Sequence, residues 1–132
     1  MQRTLVLLKP DALKRNLVNQ IIARLDSSFC MRQAKLITMD TKLAEDHYGH
    51  LRHLDNFRQI IDFMISGQMI AAIYEGEQVI AGVRKMTGPV FGATSGTIRG
   101  DFGAKGHENL IHASDSEENA EIEIRRFFPE RY

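Results

Sequence analysis

Apolar and polar residues follow one another along this chain in two rhythms, and each change of rhythm marks an element. Thr4-Leu5-Val6-Leu7-Leu8 is an unbroken apolar run of strand length, the pattern of a strand covered on both faces, and Lys9-Pro10-Asp11 ends it. A lysine at that strand end points into a crevice. Leu17, Val18, Ile21, Ile22 and Leu25 then recur at helical spacing with Asn16 placed to cap them, and Ala34 to Met39 reads as a second strand. Thr41 caps a helix with Leu43, His47, Leu51 and Leu54 on one face, and Phe57, Ile60, Ile61 and Met64 stripe the next, so the two form a hairpin. Ser66-Gly67 breaks the chain before a third strand, Met69-Ile70-Ala71-Ala72-Ile73-Tyr74. Glu75-Gly76 leads into a short helix with Val79, Val83 and Met86 inward and Arg84 riding on it. Thr87 to Gly96 carries three glycines and a proline, the composition of an irregular loop. Leu110-Ile111 forms a short buried strand with His112 at its end, and Ala120, Ile124, Phe127 and Phe128 mark the buried face of a closing helix. Strands and helices do not alternate regularly, so an α+β domain with helices packed on an antiparallel sheet is expected over a parallel α/β fold.

Length and charge narrow the picture. At 132 residues the chain reads as one domain, 1–132, long enough to bury a core without staples. Seventeen basic residues balance seventeen acidic ones, so no global field favours nucleic acid or an anionic membrane, and any basic site is local. Cys30 is the only cysteine, which excludes an intrachain disulfide framework and a cysteine metal cluster. The first residues run straight into a strand pattern without signal-like organisation, and no apolar run approaches membrane-spanning length. A cytoplasmic protein is expected.

The chemistry concentrates between Gly96 and Ser116. Gly96-Thr97-Ile98-Arg99-Gly100-Asp101-Phe102 and Asn109-Leu110-Ile111-His112-Ala113-Ser114-Asp115-Ser116 supply a guanidinium, an amide, an imidazole, hydroxyls and carboxylates, with glycines that let backbone approach a ligand closely. Ser114-Asp115-Ser116-Glu117 has the form of a capping box, and a helix N-terminus attracts anions. Glu123 lies three residues after Ala120 and four before Phe127, so its carboxylate borders the apolar stripe and needs a partner. His112 is that partner: a carboxylate on one ring nitrogen fixes the tautomer and leaves the other free as a nucleophile.

Together with Lys9-Pro10-Asp11, His47-Tyr48, Ser66-Gly67, Glu75-Gly76 and Arg84, these segments resemble nucleoside diphosphate kinase over nearly the whole chain. The resemblance implies a ferredoxin-like βαββαβ sandwich, its four-stranded antiparallel sheet joined by an extra helical hairpin. It also implies ping-pong transfer of the γ-phosphate of ATP or another nucleoside triphosphate to a nucleoside diphosphate through a phosphohistidine, maintaining triphosphate pools. His112 then matches the phosphorylated nucleophile, Glu123 the glutamate that positions it, Ser114 the serine bonded to that glutamate, and Tyr48 the tyrosine beside the histidine. Lys9 and Asn109 match the contacts to ribose hydroxyls and nearby phosphate oxygens, and Arg84 and Arg99 match the arginines on the phosphates. Mg²⁺ is expected to arrive on the nucleotide, with no protein-built metal site. A homo-oligomer is implied, hexamer favoured over tetramer.

The chain departs from the pattern in three places. Asn56 stands where a phenylalanine usually stacks on the base, with Phe57 beside it, and Gly106 stands in the apolar position across the base. Val90 replaces a phosphate-contacting threonine in a shortened loop, with Thr87 and Thr94 as the hydroxyls nearby. The chain also stops at Tyr132, without the extension many relatives carry, and that extension and loop commonly contribute to subunit contacts. Blander readings compete residue by residue: Arg84 and Arg99 as solvated charge, Glu123 paired with Arg126, Tyr48 as simple packing. His47, His50 and His53 are spaced for one helix face, but no carboxylate or cysteine completes a metal set with them. Arg99-Gly100-Asp101 spells an adhesion tripeptide by coincidence. A binding module of the same fold without catalysis is the rival class; the strands lack the aromatic signature of an RNA-recognition motif. A phosphohistidine relay to proteins is a third.

Overall fold

The computed structural model describes residues 1–132 as a four-stranded antiparallel sheet with seven α-helices. The order of elements is β1 (Gln2–Leu8), α1 (Pro10–Lys14), α2 (Val18–Asp26), β2 (Cys30–Ile37), α3 (Thr41–Tyr48), α4 (Phe57–Met64), β3 (Met69–Gly76), α5 (Val79–Thr87), α6 (Ile98–Phe102), β4 (Ile111–Ala113) and α7 (Glu117–Phe127). Strands lie in the order β2-β3-β1-β4. This is the ferredoxin-like βαββαβ arrangement, with α3 and α4 as the added hairpin between β2 and β3.

The two central strands explain the continuous apolar runs. In β1, Leu5 and Leu7 face a core shared with Ala44, Tyr48, Ile61, Met64, Ile124 and Phe127, while Val6 and Leu8 face a second core with Ile21, Leu25, Val83 and Ile98. Alternate side chains of a strand point to opposite faces, so a strand buried on both sides carries apolar residues at every position. β2, at the sheet's edge, instead alternates exposed and half-buried residues.

Several boundaries differ from those the sequence suggests, each for a local reason. Asp40, not Thr41, caps α3: its side chain accepts from the Leu43 N–H at 2.8 Å. Asn16 does not cap α2; Leu17 occupies that position, and Asn16 takes a left-handed turn at φ 57°. β2 begins at Cys30, upstream of Ala34, because its pairing with β3 extends across an irregularity between Met31 and Gln33. The first hairpin helix ends at Tyr48 and tightens into a 3₁₀ turn at Gly49–Leu51, short of Leu54. Two five-residue helices, α1 and α6, are too brief for a periodicity to reveal.

Candidate active site

His112 sits on β4 directly opposite Leu7 of β1. Residues facing one another across an antiparallel pair share a face of the sheet, so the imidazole projects toward the side covered by α3, α4 and α7. There Glu123 of α7 brings its Oε1 to 3.0 Å from His112 Nε2. Ser114 does not cap α7, as the Ser-x-x-Glu spacing suggests; Ser116 does, accepting from the Asn119 N–H at 3.0 Å. Ser114 is fully buried instead. Its hydroxyl donates to Glu123 Oε1 at 2.6 Å and accepts from the Leu5 N–H at 3.1 Å. A chain of hydrogen bonds therefore runs from the backbone of β1 through a serine and a carboxylate to the imidazole. Burial alone would raise the Glu123 carboxyl, but the bonds from His112 and Ser114 outweigh it and hold the pKa below its ordinary value. An ionised Glu123 fixes the proton on Nε2. Nδ1 is left with its lone pair free.

His112 lines a pocket of about 390 Å³ together with three cationic side chains, Lys9, Arg84 and Arg99, the Asn109 amide, and Tyr48, Asn56 and Val90. All the residues singled out in the sequence for a nucleotide therefore border one cavity, and no lining side chain is a carboxylate. Arg84 reaches back from α5 to the Ala113 carbonyl at 3.0 Å, beside the histidine. Arg99 spreads its donors over the carbonyls of Gly88, Asn109 and Ile111 at 3.0, 3.1 and 2.6 Å, which orients the guanidinium rigidly. Lys9 donates to Asn109 Oδ1 at 2.7 Å. Burial, reinforced by Arg99, lowers the Lys9 ammonium to about 7, and burial with Arg84 lowers Arg99 to about 10. Such depressed values mean that these groups carry their charge at a cost, which a bound anion would relieve. Burial raises the Tyr48 phenol well above its usual range, and its hydroxyl donates to Met64 Sδ at 3.6 Å.

The loop that delivers His112 is held by a residue to which the sequence assigns no role. Asp11 Oδ2 accepts from the Leu110 N–H at 3.1 Å, and Lys9 N–H donates to the Leu110 carbonyl at 2.9 Å. Leu110 needs that support, because it occupies φ 74°, a conformation costly to a branched side chain. The only sequence signal for Asp11 is its place in Lys9-Pro10-Asp11.

His47, placed by the sequence on the apolar face of the first hairpin helix, also meets the site. It is buried in α3, not on the surface with His50 and His53, and its ring meets His112 edge-on at 4.7 Å between centroids. Arg126 donates to His47 Nδ1 at 3.0 Å, so Arg126 is not the partner of Glu123. Burial first, then His112 and Arg126, lower His47 to about 2, so the ring is neutral. His47, His112 and Glu123 bring donor atoms within 4.8 Å of one another, a closer metal-like set than the three histidines suggested by spacing. In this set His112 Nε2 and Glu123 bond each other, Glu123 also accepts from Ser114, and His47 Nδ1 accepts from Arg126, while His47 Nε2 is buried without a partner.

Packing decides the remaining positions. Phe57 packs against the core of the α3–α4–α7 side and does not border the pocket, so it does not stand in for the aromatic that Asn56 replaces. Of Thr87 and Thr94, only Thr87 lines the pocket, and its hydroxyl donates to the Val83 carbonyl at 2.8 Å. Within Arg99-Gly100-Asp101, the arginine turns inward to the carbonyls while Asp101 turns to Arg24 at 2.8 Å, so no adhesion tripeptide is presented. Phe91 and His107, which no sequence pattern marks, also line the cavity.

The family model described as nucleoside diphosphate kinase matches residues 2–132. A nucleoside diphosphate kinase of Acetivibrio thermocellus is 48% identical, with 98% of each chain covered, and one of Methanocaldococcus jannaschii is 46% identical over 98% of this chain and 94% of its own. Among solved structures, the nucleoside diphosphate kinase of Halobacterium salinarum in complex with CDP superposes with a TM-score of 0.92 at 36% identity, covering 96% of this chain and 87% of that one. The apo enzyme of Encephalitozoon cuniculi gives 0.94 at 36% identity, covering 97% and 89%. The chain belongs to the nucleoside diphosphate kinase family.

Proposed function

We propose that His112 carries a phosphate between nucleotides in two half-reactions, with residues 1–132 acting as one catalytic domain. In the first, the Nδ1 lone pair attacks the terminal phosphorus of a nucleoside triphosphate. The bond to the bridging oxygen breaks and the diphosphate departs with the electron pair. In the second, a terminal oxygen of another diphosphate attacks the same phosphorus, and the nitrogen regains its lone pair. No proton has to leave Nδ1. The observation that carries this reading is Glu123 on Nε2, which holds the imidazole in the required tautomer and stabilises the positive charge the ring acquires on phosphorylation.

Phosphoryl transfer asks a protein mainly for in-line positioning and for fixed charge around the moving oxygens. Arg84, Arg99 and Lys9 provide that charge in the pocket, with Asn109 orienting Lys9, and Tyr48 closing one wall. Asn56 and Val90 border the nucleotide. A pocket without carboxylates suits a Mg²⁺ ion that would be held by the nucleotide's phosphates and water and not by a protein cage, and that would supply neutralising charge to the phosphates. The intact His112, Glu123 and Ser114 chain favours the enzyme over a binding module that has lost catalysis. No helix is long and apolar enough to cross a membrane; with a single cysteine, a reducing cytoplasmic setting fits best, and a homo-oligomer, hexamer before tetramer, is the assembly to test by sedimentation.

The decisive experiment incubates the protein with γ-labelled ATP and Mg²⁺ beside a His112→Ala variant, then chases with unlabelled diphosphates. Acid-labile label, absent from the variant and discharged by diphosphate, is expected. Folded wild-type protein that takes up no label overturns the reading.

A further inference from the structure

Lys9, 7% exposed, and Phe91, 83% exposed, mark the buried and the open side of the pocket. His107, Leu51, Leu54, Asn56 and Gly106 line the same cavity. Phe91 is the most exposed aromatic side chain of the chain. A single exposed hydrophobe is ordinary. This one, however, stands on the rim of the cavity that holds the cationic cluster, on a loop turned by Gly92 at φ 70°. His107 presents a second ring to the same cavity, braced by Phe63, whose ring lies 5.4 Å away edge-to-face. Asn56 offers only a short amide and Gly106 no side chain at all. The flat surfaces available to a ligand on the open side are therefore the Phe91 and His107 rings.

A cavity with fixed positive charge inside and aromatic faces at its mouth is complementary to a molecule with an anionic tail and a flat heteroaromatic head. We propose that Phe91 is the residue on which the base of a bound nucleotide stacks, with His107 forming the opposing wall. The proposal rests on the phosphotransfer reading and assigns the base end of that same site. Stacking uses the π-face that every base possesses, so this arrangement accepts all four bases.

The chain contains no tryptophan, so Phe91→Trp creates a single reporter at the rim. Addition of ADP is expected to quench its emission, whereas inorganic pyrophosphate, which has no base to stack, leaves it unchanged. Phe91→Ala, at an exposed position that does not threaten folding, is expected to raise KM for diphosphates by roughly 5- to 100-fold, the cost of one lost base stack, with little loss of kcat. Tryptophan emission indifferent to ADP that calorimetry shows to be bound, or an unaltered KM in Phe91→Ala, overturns the proposal and leaves phosphotransfer standing. ADP failing to bind the wild-type protein at all overturns both.

Discussion

The smallest unit that explains this site is the Glu123 carboxylate, since it decides which imidazole nitrogen is free. Glu123→Gln keeps an acceptor near Nε2 but removes the charge that steadies a phosphorylated ring. A charge-assisted hydrogen bond is worth about 1.5–3 kcal/mol, so His112 phosphorylation in a single turnover is expected to slow by roughly 10- to 100-fold, while nucleotide affinity by calorimetry stays the same. Lys9 makes a different prediction. Its pKa is about 7 in the folded protein against 10.5 for the ordinary side chain, so within that window the unfolded chain holds a proton that the folded one has released. Stability therefore rises with pH from about 7 to 10.5 on account of this group, and below about 7 the full cost of a buried charge is present. Phosphates arriving beside Lys9 restore its charge. Binding of a diphosphate between those pH values is expected to take up a proton, seen as a dependence of binding enthalpy on the buffer's ionisation enthalpy, and Lys9→Met abolishes it.

At the scale of elements, the short helix α6 shows how a glycine can be required by crowding. Thr97 caps the helix by accepting from the Gly100 N–H at 3.0 Å, and a Cβ on Gly100 would collide with the Thr94 carbonyl oxygen, a backbone atom that cannot step aside. Gly100→Ala is expected to lower stability by about 1–3 kcal/mol, the usual cost of overpacking, read as a lower denaturation midpoint. It also displaces Arg99 from its three carbonyls, so nucleotide affinity falls with it. The part of the pocket lined by Arg99 is in this sense built by loop closure around α6, whereas the part lined by His112 is built by the sheet.

Across the whole molecule, legibility follows periodicity. Strands β1 and β3 and the stripes of α2, α4 and α7 are plain in the sequence, because burial on one or both faces writes a repeat into the residues. His112 with Glu123 is legible too, since a carboxylate beside an apolar stripe demands a partner. Asp11 and Phe91 are not, and of His47 only its burial is, for their contacts depend on distant segments meeting: Asp11 holds the strained Leu110, His47 packs on His112, and Phe91 reaches a cavity formed by several separate elements. Ser114 divides the two kinds of reading: its local spacing suggests a cap, which is wrong, while the family resemblance pairs it correctly with Glu123, in a link to β1. That link spans almost the entire polypeptide: Leu5 and Ser114 are 109 residues apart in sequence. During synthesis, the first strand must therefore wait for nearly the last helix before the nucleophile can be aligned. The hydrogen-bond chain to His112 closes only once residues 112–123 are available to β1.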